Sequence, residues 1–128
     1  MSTEGMCENF IYKIRQWHHD RNLIEGATDK DQVCKLIQEV GELSDNVCKQ
    51  RDVRDDIGDI IVVLINIAER NNITIAECLA QAYDDIKDRK GKMVDGIFVK
   101  DDDGISPPVE SSEDLLEIWD HSIASENV

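Results

Sequence analysis

The stretch Ile57-Gly-Asp-Ile-Ile-Val-Val-Leu-Ile-Asn-Ile-Ala68 constrains the fold of this chain more than any other. Wound as a helix it is apolar on almost every side, and such a helix is stable only when other helices surround it. Its β-branched residues would also suit a buried strand. Twelve residues is long for a strand, however, and the charges flanking the run suit a helix from about Arg54 to Arg70. Within the run only Asp59 and Asn66 are strongly polar. They are seven residues apart and so share a stripe with Asp56, Val63 and Arg70.

The rest of the pattern supplies partners for that helix. Phe10, Ile14, Trp17 and Arg21 fall at helical spacing, which predicts a first helix over 6–20. A loop over Asn22–Lys30 follows. Thr28-x-x-Asp31 is a capping-box variant that starts a second helix, with Val33, Leu36, Val40, Leu43 and Val47 as its apolar face. This helix is expected to end near Cys48–Arg51, with Asp52 as the N-cap of the third. After Asn71-Asn72, Thr74-x-x-Glu77 starts a fourth helix carrying Ile75, Leu79, Ala82 and Ile86. Gly91 is expected to end it, with Lys87, Arg89 and Lys90 in the last turn, where cations suit the helix dipole. Gly96–Lys100 reads as a short extended piece, and 112–123 as a short amphipathic helix. The fold expected is all-α: a four-helix bundle built on an antiparallel helical hairpin. The third helix has more apolar surface than one chain of 128 residues covers, so a homo-oligomer is expected.

Charge then narrows the function. The net charge of −14 argues against nucleic-acid binding, which needs a basic face. Residues 101–128 carry nine acids and no Lys or Arg, so they read as an acidic tail apart from a 1–100 domain. Cys7, Cys34, Cys48 and Cys78 form no CxxC, which disfavours zinc and fits free thiols in a reducing cytoplasm. MSTEGMCENF has neither the basic nor the apolar part of a secretory leader, and no run reaches the ~18 apolar residues of a membrane span.

Two acidic pairs carry the chemistry, Glu39-x-x-Glu42 and Asp56-x-x-Asp59. Residues three apart are neighbours on one helix face. Both pairs are also equidistant from residue 49, near the hairpin turn, so all four carboxylates come to one level. Acids at this spacing are often only a solvated face. Asp59 inside an apolar helix, in contrast, is costly unless paired or bound to metal. All-oxygen ligands select a hard cation, Mg²⁺ first and Mn²⁺ second. Lys87-Asp-Arg-Lys-Gly-Lys92 places four bases in six residues of an acidic chain, a phosphate clamp beside such a metal. Trp17 and His18 are candidates to stack on a base, and Lys35 joins the expected substrate contacts.

Gln38-Glu39-Val-Gly-Glu42 followed by Asp56-Ile-Gly-Asp59 resembles the EExxE…ExxD signature of MazG-like nucleotide pyrophosphohydrolases, of the all-α NTP pyrophosphatase superfamily. Ala82–Met93 and Gly96–Lys100 look like the short phage and bacterial members, and the resemblance covers about 8–100. It implies a bundle acting as a dimer or tetramer and Mg²⁺-dependent cleavage of nucleoside triphosphates to monophosphate and pyrophosphate. It also implies metal ligands at Glu39, Glu42, Asp56 and Asp59, a polar substrate contact at Asp84 and phosphate contacts at Lys87 and Arg89. Three positions depart from the pattern: Gln38 replaces the first Glu, Asp56 is shorter than the usual Glu, and Asp84 replaces an Asn. On the proposed mechanism Glu39 or Glu42 helps activate water. The competing expectation is a non-catalytic acidic bundle that binds metal or a protein partner.

Overall fold

A computed structural model describes residues 3–101; the expected helix over 112–123 and the acidic tail lie outside the described residues. The described chain is mostly helical: α1 (Thr3–Asp20), α2 (Asp29–Cys48), α3 (Arg54–Arg70) and α4 (Ile75–Ile86), then strands β1 (Gly91–Val94) and β2 (Ile97–Lys100). It divides into two compact units at Tyr83/Asp84. No described helix is long and apolar enough to cross a membrane.

In the first unit the ends of the helices follow local chemistry. Thr28 caps α2 with a complete box: its Oγ1 accepts from the Asp31 N–H at 3.1 Å, and its own N–H donates to the Asp31 carboxylate at 3.0 Å. At the other end Gln50 takes φ +56° and the Arg51 N–H reaches back to the Asn46 carbonyl. A left-handed residue usually ends a helix this way as glycine; here glutamine does it, so the sequence carries only a weak turn signal. Val53 is the N-cap of α3 and makes no side-chain bond. The expected cap, Asp52, sits one residue earlier and accepts from the Arg54 N–H at 3.0 Å. Thr74 caps α4 through the Glu77 N–H.

α3 packs along α2 and along α1. The core centres on Val63, Ile65 and Ala68 of α3. The stripes that meet it differ from those expected. On α2 the covered side runs through Leu36, Glu39, Leu43 and Asn46, while Val33, Val40 and Val47 are about half exposed. On α1 it runs through Ile11, Ile14 and His18, with Phe10 and Trp17 well exposed. The helix expected to be apolar all round leaves Ile57, Ile61 and Leu64 open.

The second unit contains an antiparallel hairpin, with Gly91 opposite Lys100 and Val94 opposite Ile97. Asp95 and Gly96 join the strands, with φ of +50° and +80°, the positive values a type I′ turn requires. α4 ends at Ile86 and not at Gly91. A Cβ on Gly91 would collide with the Val99 carbonyl and the Phe98 ring, so this glycine serves the close approach of β2. Lys87, Arg89 and Lys90 consequently lie beyond the last turn of the helix.

Candidate metal centre

Glu39, Glu42 and Asp59 each offer one carboxylate oxygen, and these oxygens lie within 4.8 Å of one another. α2 contributes the first two from one face and α3 the third, where the two helices pack along each other; the fourth expected carboxylate, Asp56, is outside the group. Glu39 is 7% exposed. Its Oε1 receives the Lys35 ammonium at 3.2 Å, whereas its Oε2 is buried without a hydrogen-bond partner. The charge of Glu39 raises the Glu42 carboxyl above its ordinary range. Asp59 is also raised, first by burial and then by Asp55, Glu39 and Asp56. Glu42 and Asp59 are therefore crowded enough to resist ionisation, and one buried oxygen of Glu39 has no hydrogen-bond partner.

This donor set fits a hard divalent cation. Metal–oxygen distances of roughly 2.1–2.5 Å let oxygens about 3–5 Å apart share one ion after small side-chain rotations. The burial cost of Glu39 is met when positive charge reaches Oε2.

Asp56 is placed differently from the other three. It is 6% exposed, and both its oxygens accept from the Asn46 amide nitrogen, at 3.0 and 2.9 Å. It lies near enough to raise Glu42 and Asp59, but it is outside the group of three. Asn46 was not anticipated. It continues the covered stripe of α2 from Glu39 and Leu43, and this periodicity was the signal that could have found it.

Trp17 meets the candidate centre from α1. With Lys13, Ile14 and Val62 it lines a hollow of about 410 Å³ that also includes Asp59. Its ring is 43% exposed, carries the Arg21 guanidinium at 4.4 Å, and meets His18 edge-on at 5.3 Å. His18 itself is not available for stacking. It is buried, with Nε2 2.9 Å from the Val62 carbonyl and Nδ1 3.1 Å from the Asn66 amide. Burial lowers its pKa, so the neutral ring donates from Nε2 and accepts at Nδ1. Asn66, fully buried, also donates to the Leu23 carbonyl at 3.0 Å. The second polar residue of the α3 run thus holds α1 and the turn after it.

Asp84, Lys87 and Arg89 belong to the second unit. Lys87 pairs with Asp84 at 2.8 Å. Arg89 and Lys90 line a polar cleft of about 480 Å³ with Asp85, Asp88, Lys100 and Asp101. All four cysteines are free and exposed.

No protein-family model matches the chain, and no solved structure matches it. Among curated proteins it is similar to an uncharacterized 18.2 kDa protein from the rep-hol intergenic region of Haemophilus phage HP1 (strain HP1c1), 41% identical over 68 residues. The match covers 52% of this chain and 42% of the phage protein, so the chain spans less than half of that relative's length. None of these comparisons extends to the pyrophosphohydrolase family that the motifs resemble, and that reading rests on the residues themselves.

Proposed function

We propose that this chain is a MazG-like, Mg²⁺-dependent pyrophosphohydrolase that cleaves nucleoside triphosphates, ribo or deoxy, to monophosphate and pyrophosphate. The observation that carries the reading is the buried, unpartnered Oε2 of Glu39 among three converging carboxylates. Glu39, Glu42 and Asp59 would hold the ion directly, and Asp56 would join them by giving up one bond from Asn46. When bound, Mg²⁺ neutralises charge on the phosphates and orients them.

The protein's own groups do the remaining work. Glu42 is the exposed member of the pair, which leaves it open to water as the proton acceptor. It takes a proton from the water whose oxygen bonds to the α-phosphorus, and pyrophosphate leaves as the bridging P–O bond breaks. Glu39 holds its position from the buried side. Trp17 supplies a stacking face for the base, in the hollow that reaches Asp59. The resemblance implies Lys87 and Arg89 as contacts to the distal phosphates and Asp84 as a polar contact. Phosphoryl transfer depends mainly on positioning and charge, so no covalent nucleophile is needed.

A homodimer or homotetramer, and with it a completed bundle, is part of this reading. Ile57, Ile61 and Leu64 on α3 and Val33, Val40 and Val47 on α2 are open apolar stripes. Cys7, Ile11, Ile61, Leu64, Ile67 and Leu79 line a wholly apolar groove of about 420 Å³, which a second copy would cover. The free thiols fit a reducing cytoplasm.

Incubation of the full chain with NTPs and dNTPs plus Mg²⁺, scored for pyrophosphate, tests the activity. Orthophosphate and diphosphate as primary products would refute the scission. No turnover of any nucleotide would leave the non-catalytic metal-binding bundle in its place. Light scattering on the same sample tests the oligomer, and a monomer at micromolar concentration overturns it.

A further inference from the structure

The Lys35–Glu39 contact is an odd ion pair to find on a helix. With Lys four residues before Glu, it runs in the less favourable of the two i,i+4 orders, so it adds little to helix stability. It is also lopsided. The Lys35 side chain is 56% exposed, whereas that of Glu39 is 9% exposed. The carboxylate needs a cation and the lysine does not need the carboxylate. Among the described residues no other Lys or Arg is paired with Glu39, Glu42, Asp56 or Asp59. One ammonium therefore faces the whole cluster.

We infer that Lys35 is a tethered counter-cation of this site, standing in for the divalent ion on Glu39 and opposing its binding. The inference rests on the proposed metal site. An ion reaching the free Oε2 approaches within a few ångströms of the ammonium on Oε1. Two cations at that range repel whether Lys35 stays or moves aside, and the ion must work against it. The flexible four-carbon stem and the exposed head let it turn outward, where the negative charge of a bound polyphosphate would hold it. Lys35 thus makes the site weak for the free ion and stronger for the ion with its triphosphate. It is a positioning residue, acting on the metal through Glu39.

The test is titration of the full-length, metal-stripped protein with Mn²⁺ alone, followed calorimetrically, in the parent, Lys35→Met and Lys35→Arg. The exposed side chain makes both substitutions tolerable to the fold. Lys35→Met should bind Mn²⁺ about two- to fivefold more tightly, the scale of a partly exposed pair. Lys35→Arg keeps the charge and should match the parent. Equal or weaker binding by Lys35→Met overturns the inference while leaving the metal site standing. Tightening in Lys35→Arg as large as in Lys35→Met also overturns it, because charge would not be the cause. If none of the three proteins binds Mn²⁺, the metal site falls, and the role of Lys35 falls with it.

Discussion

α3 has two polar seams, and they are built on opposite principles. Towards α1 and the turn that follows it, donors meet acceptors. Arg15 pairs with Glu69, and His18 is bonded at both ring nitrogens. The amide nitrogen of Asn66 serves two partners although its buried Oδ1 has none, and Arg70 bonds the Ile24 carbonyl and Asp29 at the start of α2. The guanidinium of Arg15 holds the Glu69 carboxyl below its usual range. Towards α2, carboxylates meet carboxylates, and Glu42 and Asp59 are pushed upward. A seam of matched pairs holds helices together by itself. A seam of like charges is held together by the apolar contacts around it, and its free energy falls when a cation enters. The contrast separates a structural use of buried polarity from a ligand-binding one on a single helix.

The sharpest way to break that contrast is Asp59→Asn, which removes one charge and one ligand but keeps the shape. Activity should fall about a hundredfold or more, ~2.7 kcal/mol of transition-state stabilisation. Mg²⁺ should raise the melting temperature of the parent, since a ligand of the folded state alone stabilises it, and should have little effect on the variant. In EDTA the variant should melt at or above the parent, because repulsion has been relieved. Melts of both proteins with EDTA and with millimolar Mg²⁺ measure this. An Asp59→Asn protein that keeps both turnover and the Mg²⁺ shift would make the α2–α3 seam merely a solvated face.

Asn66→Ala acts on the other seam and should behave in the opposite way. It strips His18 and the Leu23 carbonyl of their buried donor and leaves a cavity, at a cost of about 2–3 kcal/mol in urea unfolding. The Mg²⁺ shift in melting temperature should survive unchanged. Loss of that shift in a still-folded protein would mean that the two seams are one site.

How much of this was legible in the sequence depended on contrast. In α3 the apolar background made Asp59 and Asn66 conspicuous, and the stripe they share with Asp56 and Val63 does face inward. In α2 there was no such background. Val33, Val40 and Val47 repeat as regularly as Leu36 and Leu43, and nothing local says which stripe a neighbour covers. The expected face therefore included valines that one chain leaves half exposed. His18 was hidden because a buried histidine is decided by partners 44 and 48 residues away. The hairpin, by contrast, was readable in principle. Asp95-Gly96 between Met93-Val94 and Ile97-Phe98 is a two-residue turn signal, but the charged residues before Gly91 suggested the end of a helix.

A smaller effect is expected from Arg89→Ala, in the polar cleft of the second unit. If the bases there hold the phosphates that an acidic seam cannot, kcat/KM should drop about tenfold, ~1.4 kcal/mol. Metal binding measured with Mn²⁺ alone should not change. Parental kinetics would reduce the cluster to surface charge.

The smallest effect separates the two seams by pH, in EDTA so that no metal intervenes. Burial lowers the pKa of His18 below its ordinary value, and the folded protein resists the proton that the unfolded chain accepts. Stability rises with pH wherever the unfolded state binds more protons. The contribution of neutral His18 is therefore fully present above about pH 6.5. It declines as the pH falls from there towards the lowered value of the folded protein, and levels off below it. Protonation would turn the Nδ1 acceptor into a donor facing the Asn66 amide, leaving two N–H groups opposed. Glu42 and Asp59 have raised values and act with the opposite sign, since acidification through their range relieves the α2–α3 repulsion. Urea unfolding of the parent at pH 7.5 and 5.5 should show the loss from His18. In His18→Gln, which cannot titrate, that slope should disappear although the protein starts less stable. An unchanged slope in His18→Gln would assign it to another group and leave the α1–α3 seam insensitive to acid.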